Sequence, residues 1–270
     1  MKKQAVILAG GKGTRLLEVT GDKVPKPLIE ILPGLTMLDY AINGLLKVGV
    51  TKIYITTYHL SKQIQEYLDR HYKDRSDLEL KVVEEDKELG TGGSVLSLIK
   101  SGVSDPLLVL SSDTFFVWSE MKDFIDNAFK NIKGARAIFG ITNDVIHSQA
   151  PFNIWFNKKD KLMVSYQNRI NSETPIINEK FIDKTDLYSN ITGAGIVVLN
   201  SKMIGSEMEL RNVQFPVCLY NDWLPVWAER NYGIYVEFLQ SMVLDMGTPD
   251  RLALAKKLVK KKLDKGSINA

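Results

Sequence analysis

The sequence predicts an α/β fold in which helices cover both faces of a mostly parallel sheet. Short apolar runs alternate with segments of helical periodicity through the first half of the chain. Such alternation is typical of a parallel sheet, because the chain must cross back over a face of the sheet, usually as a helix, before the next parallel strand can begin. Several apolar runs also end at glycine or aspartate, at the strand ends where ligands bind in such sheets.

The elements of the first half follow from this pattern. The first strand is expected at Ala5–Leu8, directly before a glycine-rich segment. Helical spacing of apolar residues predicts a helix over Met37–Val48, which Gly49 ends. Ser61 is expected to cap the next helix. Further strands are predicted at Lys52–Tyr58, Leu80–Val83, Leu107–Leu110 and Ala135–Ile141, and further helices at Ser94–Ile99 and about Glu120–Lys130.

The second half of the chain is less regular. Phe152–Tyr166 is expected to form a hairpin that turns at residues 157–160, where Asn, two Lys and Asp interrupt the apolar pattern. Pro249 lies near the start of a last helix, a position where the missing N–H of proline costs nothing. Further strands are expected at Ile196–Leu199 and Ile234–Leu239.

The chain of 270 residues is long enough for a large core, and no repeat or flexible linker interrupts it. We therefore expect one domain over residues 1–270. It would contain a core, a lobe appended over the sheet and a returning segment with a C-terminal helix. These parts cover about residues 1–145, 150–235 and 240–270.

Composition excludes several classes of partner. The net charge of +3 indicates no general attraction to nucleic acid or to a membrane surface. The apolar runs are all shorter than the roughly 18 residues of a membrane span, and the first residues do not resemble a signal peptide. The single cysteine, Cys218, excludes an intramolecular disulfide and fits a reducing compartment. We therefore expect a cytoplasmic protein.

A glycine-rich loop, Leu8-Ala9-Gly10-Gly11-Lys12-Gly13-Thr14-Arg15, follows the first strand. Its glycines allow backbone N–H groups to approach a ligand closely, and Arg15 can bind phosphate oxygens with two hydrogen bonds. The loop lacks the Gly-Lys-Ser or Gly-Lys-Thr of a P-loop, and Leu16 stands where a dinucleotide fingerprint requires glycine. It predicts a phosphate site, with an ordinary glycine-rich turn as the alternative.

Two further segments extend this chemistry. Pro25 and Pro27 stiffen the backbone around Lys26, so that this cation can bind phosphate with little loss of entropy. Residues 84–94 lead from an acidic loop into a glycine cluster at the start of a helix, where a flat base could lie against the backbone. The alternatives are a proline-braced surface loop and a solvated acidic loop.

Two aspartates, Asp113 and Asp245, each follow an apolar run. A carboxylate at the end of a strand is well placed to hold Mg²⁺ beside phosphates. Either aspartate alone is more often a cap or turn residue. Together with Arg15 and Lys26, they indicate a site for polyphosphate and metal.

In this order and spacing, the five segments resemble the sugar-1-phosphate nucleotidyltransferase family. Its pattern contains Gly-Gly-x-Gly-Thr-Arg-Leu, Pro-Lys-Pro-Leu, Leu-Gly-Thr-Gly-Gly, an aspartate that closes a strand, and Asp-x-Gly-Thr-Pro. The resemblance spans residues 5 to about 252. It implies a Rossmann-like fold with a sugar-binding lobe. It also implies attack of a sugar 1-phosphate on the α-phosphate of a nucleoside triphosphate, with Mg²⁺ as cofactor and pyrophosphate as product.

The resemblance also implies roles for individual residues. Arg15, Lys26 and Asp113 would be catalytic, and Asp113 and Asp245 would hold Mg²⁺. The implied nucleotide-binding residues are Leu8, Ala9, Gly10, Gly11, Gly13, Thr14, Arg15, Glu85, Gly90 and Thr91. Those implied to bind the sugar phosphate are Lys26, Ser112 and Gly193.

The base is expected to be recognised by Glu85, five residues before Gly90, where uridylyl members of the family carry glutamine. Recognition by Glu84 or by a backbone group is the alternative. A carboxylate only accepts hydrogen bonds, and guanine offers two adjacent donors. GTP is therefore favoured, and the chain looks most like heptose-1-phosphate and mannose-1-phosphate guanylyltransferases. A uridylyl-, thymidylyl- or cytidylyltransferase of the same fold is the alternative.

The departures from the family pattern concern the sugar. Ser112 stands where glycine usually precedes the metal-binding aspartate, and residues 165–168 replace a Glu-Lys pair. Gly193 stands where the family has the asparagine of Asn-Ala-Gly. A nucleotide-binding regulatory homologue without turnover is therefore a second alternative. The expected partners are a nucleoside triphosphate and a sugar 1-phosphate, and neither nucleic acid nor a membrane is expected. The sequence leaves open whether the protein forms a homo-oligomer.

Overall fold

A seven-stranded sheet forms the centre of the protein in the computed structural model, which describes residues 3–103, 106–142, 152–168, 187–188, 192–205 and 214–264. The strands in chain order are β1 (Gln4–Leu8), β2 (Glu30–Leu32), β3 (Leu35–Thr36), β4 (Lys52–Thr57), β5 (Glu79–Glu84), β6 (Leu107–Ser111), β7 (Thr114–Phe116), β8 (Ala137–Thr142), β9 (Phe152–Asn157), β10 (Met163–Asn168), β11 (Leu187–Tyr188), β12 (Thr192–Leu199), β13 (Ile234–Phe238) and β14 (Val243–Asp245).

The central sheet has the strand order β13-β8-β12-β6-β1-β4-β5. Among the described strands of this sheet, β12 alone runs against its neighbours, pairing antiparallel with β6 on one side and β8 on the other. The remaining pairs in this sheet are parallel. The mostly parallel sheet predicted from the sequence is therefore confirmed.

Each face of the sheet carries its own core, because successive side chains of a strand point to opposite faces. In β1, Ala5 and Ile7 belong to one buried cluster and Val6 and Leu8 to the other. Helices cover both clusters, as predicted. The helices are Leu17–Thr20, Met37–Lys47, Ser61–Tyr72, Gly90–Lys100, Lys122–Asn131, Ser201–Gly205, Leu224–Glu229 and Pro249–Asp264, with short 3-10 helices at Thr14–Leu16, Lys26–Leu28, Trp118–Glu120 and Ile132–Gly134.

Two helix starts differ from the prediction. The helix expected at Ser94–Ile99 begins four residues earlier, at Gly90, so its glycines lie inside the first turn. The prediction that Ser61 is the N-cap of the Ser61–Tyr72 helix is wrong, because Leu60 is the N-cap and has a φ of 53°. The Ser61 hydroxyl is instead hydrogen-bonded to the Thr57 hydroxyl at 2.8 Å.

The segment after residue 150 contributes to more than one sheet. The predicted hairpin is confirmed: β9 and β10 pair antiparallel, and β11 adds a third strand to this small sheet. Within the range expected for the lobe, β12 lies in the middle of the central sheet. β13, which begins at the end of that range, lies at the edge of the sheet. Among the described residues, the helices are all too short or too polar to cross a membrane.

Candidate active site

Four neighbouring parallel strands, β6, β1, β4 and β5, end at one edge of the central sheet. Leu8 at the end of β1 is aligned with Ser111 of β6 and with Thr56 of β4. The loops that follow these strands therefore start side by side. They carry the glycine-rich loop, Glu85 and Asp113, so motifs that are far apart in the sequence meet at this edge.

The glycine-rich loop is tied to the sheet before it turns into the Thr14–Leu16 helix. The amide of Ala9 donates to the carbonyl of Thr56 at 2.9 Å, and the amide of Leu16 donates to the carbonyl of Gly13 at 2.8 Å. Arg15 lies in this short helix, and 58% of its side chain is exposed. The fold thus presents the guanidinium to solvent immediately after the loop.

Lys26 and Asp113 form an ion pair that is largely buried. The Lys26 Nζ contacts Asp113 Oδ2, and their side chains are 14% and 10% exposed. The Ser111 hydroxyl donates to the other oxygen of the carboxylate. Burial by itself disfavours the charged carboxylate, but Lys26 and the hydrogen bonds outweigh it and hold the pKa of Asp113 below its usual range. Asp113 is therefore a charged group in a site that excludes most water.

Strand pairing brings the second aspartate to the first. β14 pairs antiparallel with β7, and this register aligns Asp245 with Thr114, the residue after Asp113. The amide of Met246 also donates to the carbonyl of Asp113 at 2.8 Å. The sequence predicted that both aspartates follow strands, and the structure shows that these two strand ends are adjacent.

Two arginines lie beside Asp245. Arg251 Nη1 donates to Asp245 Oδ2 at 2.9 Å, and Arg15 Nη1 lies 3.6 Å from the same oxygen. A Cβ atom at Gly247 would lie 2.7 Å from Arg15 Nη2, so a residue without a side chain leaves the space for this guanidinium. Arg251 was not predicted as part of the site, although it lies in the first turn of the helix that follows the Asp-x-Gly-Thr-Pro segment.

The two aspartates fit a magnesium site that phosphates of a substrate would complete. Within the described residues, no group of three or more His, Cys, Asp or Glu side chains could hold a metal ion by itself. Mg²⁺ commonly binds one or two carboxylates, substrate phosphates and water, so Asp113 and Asp245 would be sufficient protein ligands. At present Lys26 neutralises Asp113, and two arginines neutralise Asp245.

Glu85 follows β5, and its amide donates to the carbonyl of Thr57 at 2.8 Å. The residue is 8% exposed, and its Oε1 has no hydrogen-bond partner among the residues that the structure describes. Burial raises the pKa of Glu85, although a hydrogen bond with Ser94 opposes this shift. Unpartnered buried oxygens are rare and unfavourable, so the position suits a ligand that donates hydrogen bonds.

The glycine-rich start of the Gly90–Lys100 helix binds a backbone segment from the second half of the chain. The amide of Gly92 donates to the carbonyl of Val217 at 2.9 Å. The amide of Leu219 donates to the hydroxyl of Thr91 at 2.8 Å. This contact between the motif and residues 217–219 was not predicted, because no local signal in either segment indicates the other.

Gly90 allows the closest approach in this contact. It has a φ of 75°, and a Cβ atom there would lie 2.5 Å from the carbonyl oxygen of Val217. We expect Gly90→Ala to lower the free energy of unfolding by about 3 kcal/mol, combining backbone strain with steric overlap. Gly49→Ala is the matched control, because Gly49 has a φ of 79° but open space around it. Denaturant unfolding should show a loss of only about 1 kcal/mol in the control; equal losses would contradict the prediction.

A cleft of about 160 Å³ lies between these motifs. It brings together most of the residues expected to bind the nucleotide. It also contains Glu88 from the acidic segment 84–94, and it adds Tyr58 and Ser111, which were not predicted as site residues. The lining residues are Leu8, Ala9, Gly10, Gly11, Lys26, Pro27, Tyr58, Glu85, Glu88, Leu89, Gly90, Thr91, Ser94, Ser111 and Ser112.

An ion pair joins the two loops that flank this cleft. Lys12 Nζ lies 2.9 Å from Glu88 Oε2, and about half of each side chain is exposed. The pair links the glycine-rich loop to the acidic loop after β5. The sequence shows opposite charges in the two loops, which is compatible with an ion pair. The two loops lie close together, however, only because of the strand order in the sheet.

Other residues implicated by the sequence lie outside the cleft lining. Gly13, Thr14 and Arg15 follow the glycine-rich loop beyond it. Gly193 lies in β12, where it is aligned with Ile141. Its role in binding the sugar phosphate stays a prediction, as do the functional roles of the other site residues.

Comparison with known proteins identifies the family. Residues 4–149 match the family model described as nucleotidyl transferase. The chain belongs to the nucleotidyl transferase family. This confirms the resemblance to sugar-1-phosphate nucleotidyltransferases that the motifs predicted.

The relatives of this nucleotidyl transferase are distant. Mannose-1-phosphate guanylyltransferase 1 of Arabidopsis thaliana is 25% identical over 250 residues, which cover 91% of this chain and 62% of the relative. The chain thus spans less than two thirds of that protein. Two solved structures share the fold: HddC from Yersinia pseudotuberculosis, complexed with GMP-PN, and the inositol-1-phosphate CTP transferase from T. maritima. Their TM-scores are 0.68 and 0.72, each with 20% identity, and the matches cover 95% and 96% of this chain and 99% and 96% of theirs.

Proposed function

We propose that this nucleotidyl transferase transfers a nucleoside monophosphate from a nucleoside triphosphate to a sugar 1-phosphate and releases pyrophosphate. The observation that carries the proposal is the meeting of Lys26, Asp113 and Asp245 beside a glycine-lined cleft. This arrangement supplies cationic and metal-binding groups next to backbone that can approach phosphates. The mannose-1-phosphate guanylyltransferase activity in the name of the Arabidopsis relative supports the same reaction class.

In the proposed reaction, an oxygen of the sugar phosphate attacks the α-phosphorus of the triphosphate. The bond from this phosphorus to the bridging oxygen breaks, and pyrophosphate leaves with the electron pair. The nucleophile is already an anion, so no general base is required. Catalysis then depends on aligning two anions and offsetting their repulsion, which are tasks for positioned cations. We assign Lys26 to the reacting phosphates and Arg15 to the triphosphate and the departing pyrophosphate.

We assign Asp113 and Asp245 as the protein ligands of Mg²⁺. When bound, the ion neutralises phosphate charge and holds the reacting groups together. Lys26 is the cation that contacts the Asp113 carboxylate in the structure. The proposed role of Lys26 therefore requires its ammonium to move from the carboxylate to phosphate oxygens when the substrates and metal bind.

We propose GTP as the nucleotide because Glu85 presents a buried carboxylate that has an unpartnered oxygen among the described residues. Guanine places an N1–H and an N2 amino group side by side, which suits the two oxygens of a carboxylate. Uracil places two acceptors around its single donor, which suits a carboxylate poorly. The name of the Arabidopsis guanylyltransferase supports this assignment. The inositol-1-phosphate CTP transferase, which has a similar fold, is named for a different nucleotide, so the other triphosphates are included as test substrates.

Glu85→Gln tests the assignment of the base. We expect kcat/KM for GTP to fall by about 10- to 100-fold. The substitution removes the negative charge and replaces one of the two carboxylate oxygens, both acceptors, with an amide NH₂ group, which is a donor. Use of UTP or dTTP should rise at the same time. Glu84→Gln is the matched control, since Glu84 is the exposed neighbour at the end of β5. Steady-state kinetics with each triphosphate would refute this role of Glu85 if both variants kept the wild-type preference.

A pyrophosphate-release assay tests the function itself. It combines GTP, UTP, dTTP and CTP in turn with mannose 1-phosphate, glucose 1-phosphate and a heptose 1-phosphate, in the presence of Mg²⁺. Release that requires both substrates supports the proposal. The second candidate is a regulatory nucleotide-binding homologue, which the departures at Ser112 and Gly193 favour. Tight nucleotide binding without turnover of any pair would select that candidate.

The proposed partners are thus small molecules, and the proposed location is the cytoplasm. The single cysteine supports a reducing compartment. Cys218 is partly buried and accepts a hydrogen bond from the Thr91 hydroxyl at 3.5 Å.

A further inference from the structure

Tyr220 lies on a segment that is fixed to the nucleotide motif. It belongs to the short π-helical turn Leu219–Trp223, whose first amide donates to the Thr91 hydroxyl. The amide of Cys218 donates to Asp222 Oδ2 at 2.6 Å and closes the turn from its other end. The backbone that carries Tyr220 is therefore held by hydrogen bonds on both sides.

The ring of Tyr220 lies near β8, which pairs with the strand that carries Gly193. Its centroid lies 6.1 Å from that of Phe139 in β8. The Phe139 ring in turn lies directly against Gly193 of β12, since a Cβ atom at Gly193 would come within 2.7 Å of it. Gly193 has no side chain that could contact a ligand, and the Phe139 ring has no polar atom. Of these three residues, Tyr220 is the one whose side chain carries a polar group.

The hydroxyl of Tyr220 is buried and has no hydrogen-bond partner among the described residues. Burial raises its pKa, and the charges of Cys218 and Asp113 raise it further. The hydroxyl therefore stays protonated and can donate. The amide of the preceding residue, Leu219, donates to the hydroxyl of Thr91, which lines the cleft, so the turn that carries Tyr220 adjoins the candidate site. Buried hydroxyls normally have partners, and one that is unpartnered next to a candidate site suits a ligand atom.

We propose that Tyr220 is a specificity-determining residue for the acceptor and that its hydroxyl donates a hydrogen bond to an oxygen of the sugar 1-phosphate bound beside Asp113. This inference rests on the proposed function. The nucleotide motifs line the cleft between Gly10 and Thr91, and Tyr220 does not belong to that lining. Its contact with Phe139, next to Gly193, places it on the side assigned to the acceptor.

Tyr220→Phe removes the hydroxyl and keeps the ring. Tyr235→Phe is the matched control, because Tyr235 lies in β13 at the far edge of the sheet. The acceptor is titrated calorimetrically into protein saturated with Mg²⁺ and a GTP analogue that cannot be cleaved between the α- and β-phosphates. The acceptor is the one that turns over best in the release assay, or mannose 1-phosphate if none does.

We expect Tyr220→Phe to weaken binding of the acceptor by about 10- to 100-fold and to leave binding of the GTP analogue within twofold of wild type. Tyr235→Phe should change neither affinity. Because the hydroxyl has no partner among the residues that the structure describes, Tyr220→Phe should also unfold at the same denaturant concentration as wild type, or a higher one.

Three binding results would each overturn the inference: unchanged acceptor affinity in Tyr220→Phe, equal losses for acceptor and nucleotide, or no acceptor binding to the wild-type protein. A lower unfolding midpoint in Tyr220→Phe would do the same, because it would indicate a structural hydrogen bond. Failure of the proposed function looks different. In that case the wild-type protein binds both ligands, and the release assay detects no turnover with cleavable triphosphate.

Discussion

Replacing Asp113 with asparagine is expected to lower kcat by about 1,000-fold while the protein stays folded. The substitution keeps the shape of the side chain and removes its charge. It therefore removes a proposed ligand of Mg²⁺ and the anionic partner of Lys26. A metal ion contributes several kcal/mol to the stabilisation of phosphate charge in a transition state, and 1,000-fold corresponds to about 4 kcal/mol.

The measurement is pyrophosphate release at saturating substrates, together with Mn²⁺ binding in the absence of turnover. Asp123→Asn is the matched control, since Asp123 is an exposed carboxylate on the Lys122–Asn131 helix. It should leave both quantities unchanged. If Asp113→Asn retained more than a tenth of wild-type kcat, Asp113 would have no place in the proposed chemistry.

Replacing Lys26 with methionine is expected to affect both activity and stability. We expect kcat/KM to fall by about 100-fold or more, because a positioned cation no longer offsets phosphate repulsion. We also expect the free energy of unfolding to fall by about 3 kcal/mol, because the Asp113 carboxylate stays buried without its cation. Methionine has a similar length and packs in the same space, so loss of the charge is the main change.

A double-mutant cycle separates these effects. In Lys26→Met combined with Asp113→Asn, both charges are absent, so most of the lost stability should return. Mn²⁺ should also stabilise Lys26→Met more than wild type, because a divalent cation can neutralise the carboxylate that the ammonium has left. Additive losses in urea unfolding, with no response to Mn²⁺, would show that the two side chains do not act as a pair.

The local parts of the fold could be predicted from the sequence. The apolar run before the glycine-rich loop indicates β1, because four consecutive apolar residues suit a strand that is buried on both faces. The hairpin of β9 and β10 was likewise predicted from its polar turn. Capping was harder to predict: Ser61 was given the wrong role because its hydroxyl has a competing partner, Thr57, in the preceding strand.

The site needed information that no local pattern contains. Residues Asp113 and Asp245 were both recognised, but only the register of β14 against β7 places them side by side. The position of β12 in the middle of the sheet and the binding of residues 217–219 by Thr91 are also long-range contacts. Each depends on how distant segments pair, and a periodicity read along the chain carries no signal for that choice.

The position of β12 has a consequence for biosynthesis. A ribosome delivers β6 and β8 well before β12, which later separates them in the sheet. Until then, the nascent chain holds β6 with one edge unpaired, and such edges readily bind other extended chains. Asp245 emerges later still, so the two carboxylates come together only after β14 has been synthesised. A nascent chain that has reached residue 149 thus contains the whole matched family segment and cannot yet bring Asp113 and Asp245 together.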